Sequence, residues 1–233
     1  MGGKGVNRLM VALDVPTRKQ ALDLASATGD CASHFKVGGR LFTAEGPDLV
    51  RELKSAGNGV FLDLKFHDIP NTVAEAAEAA TGLGVDFFDV HASGGTEMMK
   101  AAVEASKEEA SRLGIAAPRI LAITVLTSMR STVDEVLALA ERAREAGVDG
   151  VVSSAWEAKA IREALGKDFL IVTPGIRPAW AAKNDQRRVA TPEVAMSNGA
   201  DFIVVGRPIT KAESPAAAAQ MIRDSMAPAE VPL

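Results

Sequence analysis

Three times along the chain a glycine, a small apolar residue and an aspartate introduce a short apolar run. Gly84-Val85-Asp86 precedes Phe87-Phe88-Asp89-Val90-His91, Gly147-Val148-Asp149 precedes Gly150-Val151-Val152-Ser153, and Gly199-Ala200-Asp201 precedes Phe202-Ile203-Val204-Val205-Gly206. Each follows a helical pattern, so the glycine reads as a helix C-terminal cap and the apolar run as the next strand. Further strand-length runs occur at 8–15, 33–39, from Gly59 into Asp63, at 120–126 and at 168–173, with helical patterns between them. Eight strand and helix alternations in roughly 250 residues predict a closed (β/α)8 TIM barrel with its active site at the C-terminal ends of the strands. The barrel domain is expected over 8–233, after a short tail at 1–7. An open doubly wound sheet is the alternative if one run is miscounted. Helix starts are expected at Thr17-x-x-Gln20, a capping box, at Pro47 for a helix over 47–56, at Asn71 capping a helix from Thr72, and at Ser131-x-x-Asp134.

Composition narrows the function classes. The 233 residues carry a formal net charge of −4, which offers no basic footprint for nucleic acid or a membrane surface. Cys31 is the only cysteine, so an intramolecular disulfide and a cysteine-rich zinc site are excluded, and it reads as a small core residue. No signal-like segment opens the sequence and no apolar stretch is long enough to span a bilayer, so a cytoplasmic location is expected.

The least bland segment is Asp63-Leu64-Lys65-Phe66-His67-Asp68-Ile69-Pro70-Asn71-Thr72, at the end of an apolar strand. Strand alternation puts Asp63 and Lys65 on one face, roughly 6.5 Å apart along the chain, so a carboxylate and an ammonium share one small space. Asp68 lies past the strand pattern and its direction is not fixed by parity. An exposed ion pair would be weak and common, but these charges emerge at the mouth of a buried sheet. The other strand ends carry Asp14, Lys36, His91, Ser128 and Gly206-Arg207. Polar groups gathered there describe a ligand-binding mouth.

Strands seven and eight end in Thr173-Pro174-Gly175-Ile176-Arg177-Pro178 and Val205-Gly206-Arg207-Pro208, where barrels commonly hold phosphate. Gly206 lets the backbone approach an anion and Arg207 can grip it with its planar fork. The loop over 175–188 is long and polar enough for a lid, with Gln186 able to reach a ligand, Trp180 as a packing residue, and Arg177, Lys183, Arg187 and Arg188 making it basic. His34, His67 and His91 do not form a spaced ligand set, so a metal is not expected.

Asp63-x-Lys65-x-x-Asp68-Ile69-Pro70-Asn71-Thr72, together with Leu13-Asp14, Phe35-Lys36-Val37-Gly38, Thr173-Pro174-Gly175-Ile176-Arg177-Pro178, Asp185-Gln186 and Val205-Gly206-Arg207-Pro208, resembles the orotidine 5′-monophosphate decarboxylase family over nearly the whole chain. The segment Ala179-Trp180-Ala181-Ala182-Lys183-Asn184 departs from the small, glycine-containing lid of that pattern. The resemblance implies a homodimer with shared active sites, in which Lys36, Asp63 and Lys65 act with Asp68 of the neighbouring subunit. It further implies that Asp14 and Lys36 hold ribose hydroxyls, Thr72 reaches across the interface, Ser128 bonds the pyrimidine amide, and Gln186 with Arg207 binds phosphate. The implied reaction is cofactor-independent decarboxylation to uridine 5′-monophosphate, with Lys65 stabilising and protonating the ring carbanion. The nearest alternative is a magnesium-dependent sugar-phosphate decarboxylase or hexulose-phosphate synthase of the same superfamily. Those relatives carry a glutamate metal ligand near the end of strand two, where this chain has Lys36, a cation that opposes a metal. A Schiff-base aldolase using Lys65 is disfavoured by the two carboxylates flanking the amine.

Overall fold

The computed structural model describes residues 7–126, 129, 131–181 and 189–226. Among these, eight parallel strands close into a barrel in sequence order: β1 (Leu9–Ala12), β2 (His34–Gly38), β3 (Gly59–Phe66), β4 (Phe87–His91), β5 (Arg119–Ile123), β6 (Gly150–Val152), β7 (Leu170–Thr173) and β8 (Phe202–Val205). The helices between and after them are α1 (Arg18–Thr28), α2 (Gly39–Ser55), α3 (Pro70–Gly82), α4 (Thr96–Leu113), α5 (Val133–Glu145), α6 (Ala155–Leu165), α7 (Pro192–Ser197), α8 (Arg207–Thr210) and α9 (Pro215–Ser225). The barrel closes through β1 and β8, with Leu9 opposite Ile203 and Val11 opposite Val205. Closure rules out the open sheet.

Side chains alternate between two cores, as period-two strands require. Met10, Ala12, Phe61, Phe87, Leu121, Val172 and Val204 fill the barrel interior. Leu9, Val11, Phe35, Val37, Val60 and Leu62 point outward and pack under the helices, where Cys31 is also buried.

The Gly-x-Asp repeat has a two-part physical basis. Gly84, Gly147 and Gly199 have φ of 71°, 84° and 94°, the left-handed conformation that ends α3, α5 and α7. The aspartate two residues on then clasps the strand before it. Asp86, Asp149 and Asp201 donate their backbone N–H to the carbonyls of Val60, Ile120 and Ile171 at 2.9, 3.0 and 2.8 Å. Their Oδ2 atoms accept the N–H of the same three residues at 2.7, 2.7 and 2.8 Å. The repeat therefore joins β3 to β4, β5 to β6 and β7 to β8 at the end of the barrel where the strands begin.

Several local expectations need correction. Helix α3 begins at Pro70 with Ile69 as its cap; Asn71 lies inside the first turn and bonds Glu75 at 2.9 Å. Proline at the first helical position has its φ preset for the helix and no N–H to satisfy, so the helix starts before Asn71, and Ile69 supplies no side-chain cap. The cap of α5 is Thr132, reciprocated by Glu135 in a full capping box, one residue later than Ser131-x-x-Asp134 suggests. Thr17 accepts the Gln20 N–H at 3.4 Å. Helix α2 starts at Gly39 and breaks at Gly46 (φ 67°), so the expected start at Pro47 is the start of its second arm.

Candidate active site

Four charged side chains form an alternating chain across the C-terminal mouth. Lys36 on β2 lies 3.3 Å from Asp14, just past β1, and 2.9 Å from Asp63 on β3. The other oxygen of Asp63 contacts the Lys65 ammonium. Asp63 is thus held at both oxygens and cannot rotate away from Lys65. Asp63 and Lys36 are each only 12% exposed, whereas Lys65 is 36% exposed and reaches toward the opening. Burial opposes ionisation of Asp63, but Lys36 and Lys65 overcome it and bring its pKa down to about 2. Burial likewise opposes the charge on Lys36, and Asp63 with Asp14 outweighs it, leaving its pKa raised.

Asp63 and Lys65 do meet, but not through simple strand alternation. The register runs Leu62 opposite Phe88, then Phe66 opposite Val90, where continuous pairing would place Leu64 opposite Val90. The two extra residues form a bulge. Within it Lys65 takes φ 54°, in the left-handed region, as no other described non-glycine residue does. A carboxylate the sequence reading overlooked supports this backbone: Asp89 Oδ1 accepts the Lys65 N–H at 2.7 Å. Asp89 is 1% exposed and points into the barrel beneath the site. Its position in an apolar strand body, two residues before His91, was the available signal.

Lys36, Asp63, Lys65 and Asp89 line one wall of a cavity of about 170 Å³, and the rest is largely apolar, with Phe61 and Ile123 among its lining and Ser153 as a polar exception. A flat apolar ring with a polar edge suits such a site. Gly206 closes against the first strand: a Cβ there would sit 3.3 Å from Asp14 Oδ2. Arg207 opens α8 directly beside it. Arg177 is 6% exposed behind the end of β7, and Trp180 is half exposed on the loop beyond it. The His67 and His91 rings lie 5.1 Å apart, tilted by 35°, near Lys65, and burial first, then His67 and Lys65, lowers the His91 pKa. His34 lies at the other end of the barrel, edge-on to Phe87 and Phe202. Asp68 and Thr72 are exposed; the Asp68 carboxylate accepts the Ile69 N–H at 2.7 Å and makes no ion pair with Lys65 of its own chain. Ser128, Lys183, Gln186, Arg187 and Arg188 lie outside the described residues.

Residues 7–222 match the family described as Orotidine 5′-phosphate decarboxylase / HUMPS family. The chain belongs to that family. It is 50% identical to Orotidine 5′-phosphate decarboxylase of Syntrophomonas wolfei, over 92% of this chain and 95% of the relative. It is also 50% identical to the protein of the same name from Moorella thermoacetica, over 93% of this chain and 90% of the relative. The crystal structure of Orotidine 5′-phosphate decarboxylase from Lactobacillus acidophilus superposes with a TM-score of 0.82 at 40% identity, covering 94% of this chain and 99% of that one. An uncharacterized conserved protein from Geobacillus kaustophilus gives 0.80 at 36% identity, covering 94% of this chain and all of that one. The family match spans the whole barrel, β1 to β8.

Proposed function

We infer that the chain is a carboxy-lyase that converts orotidine 5′-monophosphate to uridine 5′-monophosphate in pyrimidine biosynthesis. The observation that carries this reading is the Lys65 ammonium, fixed by an Asp63 whose second oxygen is held by Lys36, in a member of this decarboxylase family. The bond from the ring to the carboxylate breaks, carbon dioxide leaves, and the electron pair stays on the ring carbon. Lys65 Nζ opposes that charge and supplies the proton that quenches it. At an effective dielectric of 20, a unit charge at 4 Å contributes roughly 4 kcal/mol, against the ~23 kcal/mol of the largest common enzymatic accelerations. The remainder comes from positioning, exclusion of water, and energy gathered at the phosphate end of the substrate. Gly206 and Arg207, with Gln186, bind that phosphate; Asp14 and Lys36 take the ribose hydroxyls, Ser128 the pyrimidine amide, and Arg177 supports the phosphate loop.

The active unit is a homodimer in the cytoplasm. Support comes from Asp68 and Thr72, which are exposed beside an Ile69 that is 65% exposed, with Asp68 unpaired to its own Lys65. A second copy supplies Asp68 to complete the array. No helix among the described residues is long and apolar enough to cross a membrane. The magnesium-dependent alternative is disfavoured because Lys36 already stands 2.9 Å from Asp63, where a metal would need the carboxylate. The test is loss of the orotidylate absorbance band in EDTA, with Lys65→Ala alongside. Wild-type protein should bleach the band while the variant is inert yet still binds the product nucleotide. Turnover that needs added magnesium, or an active Lys65→Ala, would overturn the reading.

A further inference from the structure

Asp89 is a buried carboxyl that the reaction as described does not use. It sits on the inner face of β4 at 1% exposure, and its Oδ1 accepts the backbone N–H of Lys65 at 2.7 Å. Its Oδ2 meets no donor at good hydrogen-bond geometry. The Asp63 carboxyl lines the same cavity; it opposes ionisation of Asp89, and Asp89 aids ionisation of Asp63. A buried, unpartnered carboxylate oxygen facing a second carboxylate is costly in two ways: the charge is desolvated and it is repelled. The neutral acid removes both penalties, since its O–H can donate to Asp63 while its carbonyl oxygen still accepts from Lys65.

We propose that Asp89 works as a neutral carboxylic acid and positioning residue, holding the left-handed backbone at Lys65 and donating to Asp63 so that the ammonium is aimed at the reacting carbon. The charged groups around it agree. Asp63 and Lys65 approach from β3 and Lys36 lines the same cavity from β2, while Leu121 and Ile123 on β5 bring no charge. Burial first and Asp63 second push the Asp89 pKa well above the usual carboxylate range, with Lys65 acting the other way without prevailing. The backbone geometry requires such an anchor. A lysine at φ 54° is disfavoured sterically, and it persists only where its surroundings over-determine it. The Asp89 acceptor ties the bulged residue to the neighbouring strand at the point where ladder pairing is interrupted.

This proposal rests on Lys65 being the proton donor, but its test separates from that reading. In the difference infrared spectrum of the ligand-free wild type minus Asp89→Asn at neutral pH, the C=O stretch of a protonated carboxylic acid should appear. Asparagine keeps one acceptor and one donor, so Asp89→Asn should retain near wild-type kcat. Asp89→Ala should lose about 100-fold in kcat, the cost expected of a misplaced catalytic group, while its affinity for uridine 5′-monophosphate stays close to wild type. Absence of the band, an Asp89→Asn as impaired as Asp89→Ala, or an Asp89→Ala with wild-type kcat would each overturn the proposal. Should the alanine variant fail to fold, the infrared band and the Asp89→Asn kcat still decide. A wild type that shows the band but leaves orotidylate intact would instead refute the assigned reaction.

Discussion

Replacing the aspartates of the Gly-x-Asp repeat by alanine should destabilise the barrel in a defined order without touching turnover. Each loses a charge-assisted acceptor for a buried strand N–H, a loss that starts at about 1.5 kcal/mol. Asp149 has little else: it is exposed and has no ion pair among the described residues, so Asp149→Ala should cost about 1.5 kcal/mol. Asp86 also pairs with Lys54 at 2.6 Å, but the side chains are 37% and 28% exposed. That adds about 0.5 kcal/mol, giving roughly 2 kcal/mol. Asp201 receives Arg162 at 2.5 Å with side chains 26% and 18% exposed. Arg162 is further tied to the carbonyls of Gly199, Gly166 and Phe169, so it cannot swing into solvent when its carboxylate is removed. Asp201→Ala should therefore cost about 3 kcal/mol, toward the range for breaking a partly buried pair. For a chain of this size 1 kcal/mol corresponds to roughly 2–4 °C, so Tm should fall by about 3–6, 4–8 and 6–12 °C in the order Asp149, Asp86, Asp201. Urea midpoints and calorimetric Tm values on the purified variants measure this, with kcat recorded well below each transition. The matching asparagine variants should cost less, since Oδ1 still accepts the strand N–H. An Asp149→Ala as damaging as Asp201→Ala, or an altered kcat in the folded variants, would refute the reasoning.

Two further outcomes follow from packing and charge. Gly150→Ala places a Cβ against the Leu170 carbonyl oxygen and 2.5 Å from Leu170 Cβ, inside the barrel between paired strands. Backbone must move, so overpacking should cost about 3 kcal/mol, the upper end of the usual range, and a urea midpoint within error of wild type would contradict the interior placement. Stability should also fall as pH drops from about 4 toward 2. Asp63 is ionised in the fold down to about pH 2, whereas the unfolded chain takes up the proton near 3.9, so acid favours unfolding by an amount on the order of 2 kcal/mol. Asp89, with its raised pKa, stays protonated in the fold across this range while the unfolded chain ionises near 3.9, so it acts oppositely, favouring the fold less as pH rises through that value. Acid titrations of wild type and Asp63→Asn should converge below pH 4, and parallel curves would argue against an ionised Asp63.

Much of this protein is legible along the chain because its patterns are short in range. A glycine that stops a helix, an apolar run of strand length and a charge at its end are each set by a few neighbouring residues, and the eightfold recurrence favours a barrel, although only the β1–β8 pairing excludes an open sheet. Asp63, Lys65 and Lys36 stand out in the same way, as charges placed after apolar strands. Helix starts were less legible, because Ile69-Pro70 and Thr132 compete with adjacent Asn71 and Ser131 as equally plausible termini. Only the closed structure could bring Asp14 beside Gly206, nearly the whole chain apart, since that contact depends on β1 pairing with β8. The bulge at Lys65 and the role of Asp89 belong to the same class. Register between β3 and β4 is a long-range property, and whether a carboxyl in a strand is a surface charge or a buried acid depends on what the neighbouring strands place around it.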